Sequence, residues 1–513
     1  MNGHEAPAAP VDLDGPHLTD LGNAKRLVRD HGDRMRYVPA WHRYLVYDGT
    51  RWLVDELGEV ERLAKQTAMN LYDEVILHDA TAKGRRAAAE HAARSEGEAR
   101  IRAMITLAKT ELGIPIRPDD LDDDKMLINV VNGTLDLQER ALRPHRPADL
   151  CSQLAPVIYD PTAECPRWMR FMDRIFAGND NLISFMQRAI GYALTGDTSE
   201  HVVFILWGAG ANGKSTLLST LVAMLGTGQP RDYAVTTRAE TFMVKKGEIP
   251  NDVAALHNAR MVVASEADRE RRLAEGMIKN CTGGDAVVAR FMRAEFFSFV
   301  PRFKVFLATN HRPIVRDTST GMWRRLRLIP FNVTIPVEEQ NPYLGAELKA
   351  ELPGIFRWAV EGCYAWQEQR LGYPQEVRAA TDAYRRDMDL IGDFLDERCI
   401  RGPEEEITSK ALYDSYTAWA RDDNERVLSA KAFGLALQER GLQPGRTNSA
   451  RGWRGIRLRT ATDPESVTRD ASDTFLSIGL RARAHMEGNP SDTSQRVTRH
   501  QGDLLDSTSK GSM

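Results

Sequence analysis

The chain has 513 residues, of which 42% are hydrophobic and 27% are charged, and its formal net charge at pH 7 is −4. At roughly 150 residues per domain this length predicts two to four domains, and the globular composition excludes a wholly disordered chain. The small net charge excludes a protein that coats nucleic acid over its whole surface, so any contact with DNA must be local.

Cysteine usage and the distribution of apolar residues indicate the compartment. The five cysteines are scattered, odd in number and without a C-x-x-C pair, which argues against a disulfide framework or a structural zinc cluster. Residues 1–30 are rich in Pro and acidic residues and lack the apolar core of a signal peptide. No apolar run reaches the roughly eighteen residues of a membrane span. We therefore expect a cytoplasmic protein with no membrane partner.

Turn residues between apolar runs predict two small β-units near the amino terminus. Asp48-Gly49 separates two segments rich in Tyr, Trp and Val, which is a strong hairpin signal. Asn132-Gly133 separates two further short apolar segments in the same way. Between the two units, residues 58–112 place Leu, Ala, Met and Ile at helical spacing, which predicts long amphipathic helices.

Residues 201–335 alternate continuously apolar strands, such as VVFILW and KVFLAT, with helical segments. Strands that are apolar along their whole length and separated by helices predict a parallel sheet covered on both faces. The predicted fold class is therefore α/β, with a P-loop core built on a parallel sheet. A mixed α/β domain precedes this core, and an Arg-rich hairpin packed on helices, the plan of a winged-helix-like module, follows it.

Changes in composition and pattern divide the chain into seven predicted segments. These are a flexible lead (1–17), an N-terminal domain (18–160), a helical lead-in (161–200), the core (201–335), a helical extension (336–395), the winged-helix-like module (396–460) and a disordered tail (461–513).

The segment GAGANGKS matches G-x-x-x-x-G-K-[ST] at every required position, directly after an apolar strand and before a helix. Glycines let backbone N–H groups surround phosphate oxygens, Lys214 reaches the β and γ phosphates, and the Ser215 hydroxyl binds Mg²⁺. The predicted binding residues for a nucleoside triphosphate are Gly208, Ala209, Gly210, Ala211, Asn212, Gly213, Lys214, Ser215 and Thr216.

Polar residues after the later strands are the further candidates for catalysis. Glu266 follows the strand MVVAS and is the predicted base that polarises the attacking water, with Asp268 as a second residue near the metal. Asn310 follows the strand KVFLAT and is predicted to orient that water, although an isolated Asn more often caps a helix or forms a turn. Arg324 and Arg325 are predicted to neutralise transition-state charge in a neighbouring subunit, although an isolated pair more often lies in a solvated turn.

The ordered set GAGANGKS, MVVASEAD, KNCTGGDAVVAR, KVFLATN and WRRLRLIPF resembles superfamily 3 helicases of the AAA+ class. It is most similar to the helicase half of phage, plasmid and poxvirus primase-helicases, and the resemblance covers roughly residues 18–460. It implies a homo-hexameric ring in a bacterial host that hydrolyses ATP with Mg²⁺ and unwinds forked DNA. Movement along single-stranded DNA is expected from 3′ to 5′, with a separate primase and host or phage replication proteins as partners.

The resemblance also assigns roles to individual residues. Lys214 and Ser215 fall on the phosphate and Mg²⁺ positions, Glu266 on the Walker B acid, Asn310 on the sensor asparagine, and the Arg324/Arg325 pair on the arginine finger. A hairpin that carries Arg290, Phe291 and Arg293 falls on the segment that points into the central pore, where these side chains would contact DNA; the alternative is a charged hairpin on the outer surface.

Two departures from the family pattern affect these expectations. Many members carry an adjacent acidic pair at the Walker B strand, whereas Ser265 precedes Glu266 here, which leaves open which residue holds the metal. Full-length members carry a primase domain ahead of the helicase, and this chain starts almost at the helicase's own amino-terminal domain. We therefore expect no primase activity in this polypeptide.

Two other functions remain as alternatives. The first is an ATP-driven DNA-binding initiator or loading factor without processive unwinding, which the Arg-rich segment with Arg451 and Arg454 would serve. The second is a small-molecule kinase or GTPase, since both use the same P-loop. The sequence disfavours it because N-K-x-D is absent and such enzymes do not need Asn310 and the arginine pair; the lack of L-S-G-G-Q likewise disfavours an ABC-type ATPase.

Overall fold

The computed structural model describes residues 17–78, 81–226, 232–244, 251–265, 271–290, 296–317, 319–422, 427–446, 450–460 and 463. The chain divides into two compact units between Asp389 and Leu390, here called the amino-terminal and carboxy-terminal units. The finer boundaries given by the sequence stay predictions.

The amino-terminal unit combines helices with short antiparallel sheets and one parallel sheet. Its described helices are α1 (Asp20–His31), α2 (Glu59–His78), α3 (Ala82–Ser95), α4 (Glu98–Ala108), α5 (Pro166–Ile175), α6 (Asp180–Leu194), α7 (Lys214–Leu225), α8 (Asn251–Ala254), α9 (Glu275–Gly283), α10 (Thr320–Trp323), α11 (Leu344–Ala350), α12 (Leu352–Gln369) and α13 (Gln375–Asp387). Its described strands are β1 (Met35–Val38), β2 (Arg43–Tyr47), β3 (Trp52–Val54), β4 (Leu127–Val130), β5 (Gly133–Asp136), β6 (Ala141–Arg143), β7 (Val203–Trp207), β8 (Ala234–Arg238), β9 (Met261–Ser265), β10 (Val287–Arg290), β11 (Phe296–Phe299), β12 (Lys304–Thr309) and β13 (Leu326–Pro330).

Both predicted β-units near the amino terminus are confirmed. Strands β1, β2 and β3 form one antiparallel sheet, and Asp48-Gly49 lies in the turn between β2 and β3. Strands β4, β5 and β6 form another, with Asn132-Gly133 between β4 and β5. The predicted helices of residues 58–112 are also present as α2, α3 and α4. Ile101 and Met104 of α4 join a buried core that α2 and α4 share with α1 and β1.

The predicted parallel sheet is confirmed and has five strands in the order β13-β7-β12-β9-β8. Alternate side chains of β7 enter different cores: Phe204 and Leu206 join one cluster, and Val203 and Ile205 join the other. Each face of the sheet is thus buried, which explains why the strands are apolar along their whole length. The α/β fold class predicted from the sequence is correct.

The strands of this sheet end at a common edge. Trp207, the last residue of β7, pairs in register with Thr309 of β12 and with Pro330 of β13. Ser265, the last residue of β9, pairs with Ala308. Since parallel strands point the same way, the segments that follow β7, β9 and β12 all leave the sheet at this edge, where ligands of open α/β sheets bind.

The carboxy-terminal unit contains three helices and a three-stranded sheet among its described residues. They are α14 (Leu390–Arg398), β14 (Cys399–Thr408), α15 (Ser409–Asp422), α16 (Ala430–Glu439), β15 (Gln443–Arg446) and β16 (Arg451–Leu458), and the strand order is β14-β16-β15. The predicted Arg-rich hairpin corresponds to β15 and β16. Its buried Trp453 packs in a core with Phe394, Tyr416 and Phe433.

Within the described ranges, no helix has both the length and the apolar character required to cross a bilayer.

Candidate active site

The loop from Gly208 to Gly213 joins the end of β7 to the start of α7 in a tight curve. Ala211 and Gly213 both have left-handed backbone angles, with φ of 57° and 83°. A Cβ atom on Gly213 would lie 2.5 Å from Cγ2 of Ile175, so glycine is required there by both backbone angle and space. The sequence pattern G-x-x-x-x-G-K-[ST] is therefore present as a closed loop ahead of a helix.

The curve leaves donors available at the amino-terminal end of α7. The backbone N–H groups of Gly210, Ala211 and Gly213 donate to no acceptor in the described part of the chain. The first turn of α7 adds N–H groups that helix geometry leaves unpaired, together with the positive end of the helix dipole. Such a set of donors is suited to a phosphate group.

Lys214, the first residue of α7, folds back over this loop and is only 5% exposed. Its Nζ donates to the carbonyl of Gly208 at 2.7 Å, to Oδ1 of Asn212 at 3.0 Å and to Oδ1 of Asn310 at 3.2 Å. No carboxylate among the described residues forms an ion pair with it. Burial lowers the pKa of Lys214 to about 8, and an anion bound in the loop would favour the charged form.

Asn212 holds the loop in shape from inside. Its side chain is buried, its Nδ2 donates to the carbonyl of Ala209, and its Oδ1 accepts from Lys214. The segment after β13 supports the loop as well, because the N–H of Ile335 donates to the carbonyl of Ala211 at 2.7 Å. The loop geometry is thus fixed by protein contacts, which is the preorganisation that a binding site needs.

Asn310 is the first residue after β12, and the structure brings it to Lys214. Strands β7 and β12 are neighbours, so the loop after β7 and the residue after β12 meet at the carboxyl edge of the sheet. The 3.2 Å hydrogen bond between Lys214 and Asn310 joins two residues that are far apart in the chain. The assigned catalytic roles of both residues stay predictions.

The structure describes only some of the residues that are predicted to bind the metal. Ser215 lies in the first turn of α7 with an exposed side chain, and Thr216 follows it with its carbonyl accepting from Thr220. Glu266 and Asp268 lie outside the described residues, which reach Ser265 at the end of β9. Among the described side chains, no group of three His, Cys, Asp or Glu residues is arranged to hold a metal.

The two arginines before β13 have different surroundings. Arg325 donates from Nε to Oγ1 of Thr282 at 3.1 Å and from its guanidinium to the carbonyl of Gly321. Burial lowers the pKa of Arg325 below its usual value, and the neighbouring Arg324 lowers it further. Arg324 is exposed, and its side chain contacts no acceptor in the described ranges. Arg325 is thus held by contacts within its own chain, whereas the side chain of Arg324 points to no acceptor in the described ranges.

The predicted hairpin corresponds to the antiparallel pair β10 and β11, and its place in a pore stays a prediction. Arg290 is exposed at the end of β10, and its guanidinium lies 4.8 Å from the centroid of the Phe296 ring. Val288 and Phe296 are exposed on the same hairpin. Phe291 and Arg293 lie outside the described residues.

The candidate DNA-binding arginines of the carboxy-terminal unit also differ from each other. Arg454 lies 3.4 Å from a carboxylate oxygen of Glu406 on the neighbouring strand, so part of its charge is balanced. Arg451 is exposed and is paired in register with Arg446 on β15. Two like charges directly opposite each other repel, and an anion would relieve that repulsion.

Arg312 was not singled out from the sequence, yet it lies close to the loop. Its guanidinium carbon lies 4.0 Å from the centroid of the Trp207 ring, the residue directly before Gly208. It also forms an ion pair with Asp387 at the end of α13. Its position two residues after Asn310 was the only available signal, because both partners come from distant parts of the chain.

The chain matches two protein families. The family described as "D5 N terminal like" matches residues 24–177, and a family described as of unknown function, DUF5906, matches residues 206–325. The first match falls in the amino-terminal region ahead of the parallel sheet, and the second covers the loop, α7 and strands β8 to β12.

Several curated viral proteins are similar at low identity. "Putative helicase L207/L206" of Acanthamoeba polyphaga mimivirus is 25% identical over 327 residues, which cover 59% of this chain and 34% of that protein. "Putative helicase 022R" of Frog virus 3 is 23% identical over 386 residues, 59% of this chain and 39% of that protein. "Putative primase C962R" of African swine fever virus is 24% identical over 260 residues, 47% of this chain and 27% of that protein.

The chain therefore carries a D5 N-terminal-like region and is related to viral proteins named as helicases and primases, and it spans well under half the length of the relatives it matches. Because a primase is among them, the expected absence of primase activity stays a prediction. Among solved structures, the A form apo structure of the NrS-1 C-terminal region has a TM-score of 0.48 and 10% identity, covering 86% of this chain and 100% of that one.

Proposed function

We propose that the protein is an ATP-dependent replicative DNA helicase of a phage, prophage or plasmid that moves 3′ to 5′ on single-stranded DNA as a hexameric ring in the host cytosol. The observation that carries this proposal is the hydrogen bond between Lys214 and Asn310 at the carboxyl edge of the sheet. It lies beside a closed loop whose geometry suits a phosphate group. The names of the related viral proteins support the helicase class.

In this proposal the loop residues bind the phosphates of ATP and position them for hydrolysis. Lys214 leaves its protein acceptors to bind the β and γ phosphates, while the N–H groups of the loop and of α7 bind the other oxygens. Asn310 orients the attacking water, and Glu266, which follows Ser265 in the chain, accepts its proton. Arg324 of a neighbouring subunit stabilises the charge that develops on the γ phosphate.

The residues fit a Mg²⁺ ion as the resident metal. Ser215 offers a hydroxyl oxygen in the first turn of α7, next to the loop, and Glu266 and Asp268 add carboxylates from the segment after β9. Oxygen ligands of this kind suit Mg²⁺, which would supply positive charge that neutralises part of the charge of the phosphates.

The hairpin of β10 and β11 is the proposed contact with single-stranded DNA. Arg290 would bind phosphates, and the exposed Phe296 ring beside it offers a surface on which a base stacks. Phe291 and Arg293, between the two strands in sequence, would add a further ring and a further charge. Such contacts follow the backbone and tolerate any base sequence.

The test is ATP hydrolysis by the purified chain with and without single-stranded DNA, compared with Lys214→Ala. We expect hydrolysis that DNA stimulates in the wild type and a loss of about 100-fold or more in the variant, because the variant removes the only described cation on the loop. Arg140→Ala, on the surface beside Tyr364 and Glu368, is the folded control and should hydrolyse ATP like the wild type. Equal rates for the wild type and Lys214→Ala would contradict the proposal.

A second candidate, a DNA-binding initiator or loading factor without processive unwinding, is favoured by one observation. Arg446 and Arg451 lie directly opposite each other on β15 and β16 with no carboxylate partner in the described residues. If this hairpin binds duplex DNA, the double variant Arg446→Ala/Arg451→Ala should lower the slope of log affinity against log salt by about two. Duplex binding without ATP, together with no strand displacement, would favour this candidate over the helicase.

A further inference from the structure

The backbone pairing between β7 and β12 stops just before the residues that matter for the proposed reaction. The last register pair is Trp207 with Thr309, and both Gly208 and Asn310 lie one residue beyond it. The separation between the loop and Asn310 is therefore set by side chains, since no ladder hydrogen bonds continue past the pair.

One side-chain connection is the hydrogen bond from Lys214 to Asn310. A second one is made by Arg312, whose guanidinium lies 4.0 Å from the centroid of the Trp207 ring. A planar guanidinium stacked on an indole ring is a favourable and geometrically defined contact. Arg312 belongs to the segment after β12 and contacts the last residue of β7. It thus links the two strands at the end of their backbone pairing.

Helix α13 holds Arg312 from the other side. Asp387, in the last turn of α13, forms an ion pair with the guanidinium, and the ring of Tyr384 lies 5.8 Å from it. The hydroxyl of Tyr384 also donates to the carbonyl of Pro313, the residue after Arg312. Tyr384 is in turn fixed by edge contact with Trp323 at 5.2 Å. The guanidinium is therefore held between a strand end and a helix rather than in solvent.

The two connections respond differently to a bound triphosphate. Nζ of Lys214 has three donors and four acceptors within hydrogen-bond distance, namely the carbonyls of Gly208 and Ala209 and Oδ1 of Asn212 and of Asn310. A bound phosphate would compete with Asn310 for these donors, and the bond to Asn310 is among the weaker ones at 3.2 Å. The contacts of Arg312 with Trp207 and Asp387 involve no donor of the loop and not Lys214, so they need not change when Lys214 binds phosphate. In the bound state, the stack on Trp207 and the ion pair with Asp387 would be what keeps Asn310 at the reacting end of the nucleotide.

We propose that Arg312 is a positioning residue for Asn310: stacked on Trp207 and paired with Asp387, it fixes the distance between the sensor asparagine and the phosphate loop when Lys214 is engaged with phosphate. This inference rests on the proposed ATP hydrolysis. It assigns to Arg312 no contact with ATP, water or metal, and its effect on the reaction passes through Asn310.

The test is a double-variant cycle on ATP hydrolysis by the full chain, with Asn310→Ala, Arg312→Ala and the pair together. Arg312→Ala should lower kcat by about 10- to 100-fold, as a misplaced group does. It should change KM for ATP by no more than about two-fold, because the binding loop is intact. The pair should be no slower than Asn310→Ala alone, within about two-fold, because Arg312 acts through a residue that the pair already lacks.

Controls separate this role from general support of the fold. Arg140→Ala removes another arginine that stacks on a ring, 4.6 Å from Tyr364, and pairs with an acid, Glu368, yet it should leave kcat unchanged. Asp387→Asn keeps the stack on Trp207 and gives a second variant if Arg312→Ala unfolds; its kcat should fall by a smaller factor, with KM unchanged.

Four outcomes are distinguishable. A kcat lowered in the single variants but not further in the pair supports the inference. A pair that loses another ten-fold relative to Asn310→Ala overturns it, because Arg312 would then act independently. Wild-type kcat in a folded Arg312→Ala, with Asn310→Ala inactive, overturns the inference and leaves the proposed function standing. Absence of hydrolysis in the wild type overturns both.

Discussion

Among the described residues, Lys214 is surrounded by carbonyl and amide oxygens and not by carboxylates, so its charge depends on pH and on the ligand. Burial lowers the pKa of Lys214 to about 8 in the free protein. Bound phosphates would raise that pKa, because an opposite charge favours the ammonium form. Above pH 8 the complex therefore binds more protons than the free protein, and nucleotide affinity must fall as pH rises.

The first prediction for a single residue follows from this fall of nucleotide affinity with rising pH. The dissociation constant for ATP should be nearly constant below pH 8 and rise by up to about ten-fold per unit above it, since one pKa unit corresponds to about 1.4 kcal/mol. Titration calorimetry at pH 8.5 in buffers of different ionisation enthalpy should show uptake of up to one proton. Lys214→Ala should show no such uptake; if it takes up the same number of protons, another group is responsible.

Arg324 and Arg325 give the second prediction, because of the two only Arg325 is held by side-chain hydrogen bonds within its own chain in the described residues. Arg324→Ala should bind ATP normally and lose about 1000-fold or more in hydrolysis, as arginine-finger variants do. Mixing it with Lys214→Ala should restore part of the activity, since in the proposed hexamer a mixed ring would place an intact Arg324 beside an intact loop.

Arg325→Ala serves as the comparison. It removes hydrogen bonds to Thr282 and Gly321, so unfolding should become easier by about 1–2 kcal/mol. Because it keeps Arg324 and Lys214, the folded variant should still hydrolyse ATP, and mixing it with Lys214→Ala should not raise its rate. Rescue of Arg325→Ala but not of Arg324→Ala would reverse the assignment.

At the scale of elements, α6 and α12 support the sheet through an unusually close contact between their backbones. A Cβ atom on Gly191 of α6 would lie 2.1 Å from the backbone nitrogen of Cys363 and 2.7 Å from the carbonyl oxygen of Ala359. Both helices belong to the same buried core as α7 and as Phe204 and Leu206 of β7. The helix that follows the phosphate loop, α7, is thus supported by this pair.

Gly191→Ala is therefore expected to lower the free energy of unfolding by about 1–3 kcal/mol or more, because backbone atoms cannot yield to the added carbon. Urea unfolding followed by circular dichroism measures it. Gly345→Ala on α11 is the matched control, since a Cβ there meets no atom within 4 Å; it should be neutral or more stable by up to about 1 kcal/mol. The same urea midpoint for Gly191→Ala and the wild type would contradict this close packing.

The elements that could be predicted from the sequence are those that a short run of neighbouring residues specifies by itself. Strands β7, β9, β12 and β13 are mostly apolar, and the hairpin turns near the amino terminus carry Asp-Gly or Asn-Gly. Strand β8 was missed because Ala234–Arg238 alternates small, polar and charged residues at the edge of the sheet. Strand β14 was missed because it contains Gly, Pro and three Glu residues and depends on pairing with β16.

The residues of the candidate site also differ in whether a local sequence pattern could predict them. The phosphate loop and Asn310 could be predicted because a motif and a strand end mark them in the sequence. Arg312 could not, because its surroundings are made by Trp207 and Asp387, which only the folded chain brings together. The distinction between Arg324 and Arg325 likewise depends on Thr282, a contact that no local pattern specifies.

At the scale of the whole molecule, the amino-terminal region is joined to the parallel sheet by buried polar contacts. The N–H of Asn129 donates to the hydroxyl of Tyr233 at 2.9 Å, and Nε2 of Gln153 donates to the carbonyls of Asp232 at 3.0 Å and Asn258 at 2.9 Å. Buried polar groups of this kind are costly to separate. We therefore expect the D5 N-terminal-like region and the sheet to move together during the proposed cycle.

The charge distribution agrees with a protein that contacts DNA locally. The net charge is only −4, yet Arg290, Arg324, Arg446 and Arg451 are exposed at separate positions of the described chain. In the proposed ring these would serve different tasks: Arg290 at the pore, Arg324 at the neighbouring nucleotide, and the Arg446/Arg451 pair on duplex DNA.

The most direct measurement of the central claim is displacement of a labelled strand from a forked duplex with a 3′ single-stranded tail, in ATP and Mg²⁺. The account predicts displacement by the wild type and by Arg140→Ala, and none by Lys214→Ala or by the wild type without ATP. A fork with only a 5′ tail should not be unwound. Equal displacement by the wild type and Lys214→Ala, or a folded wild type that hydrolyses ATP without displacing the strand, would contradict it.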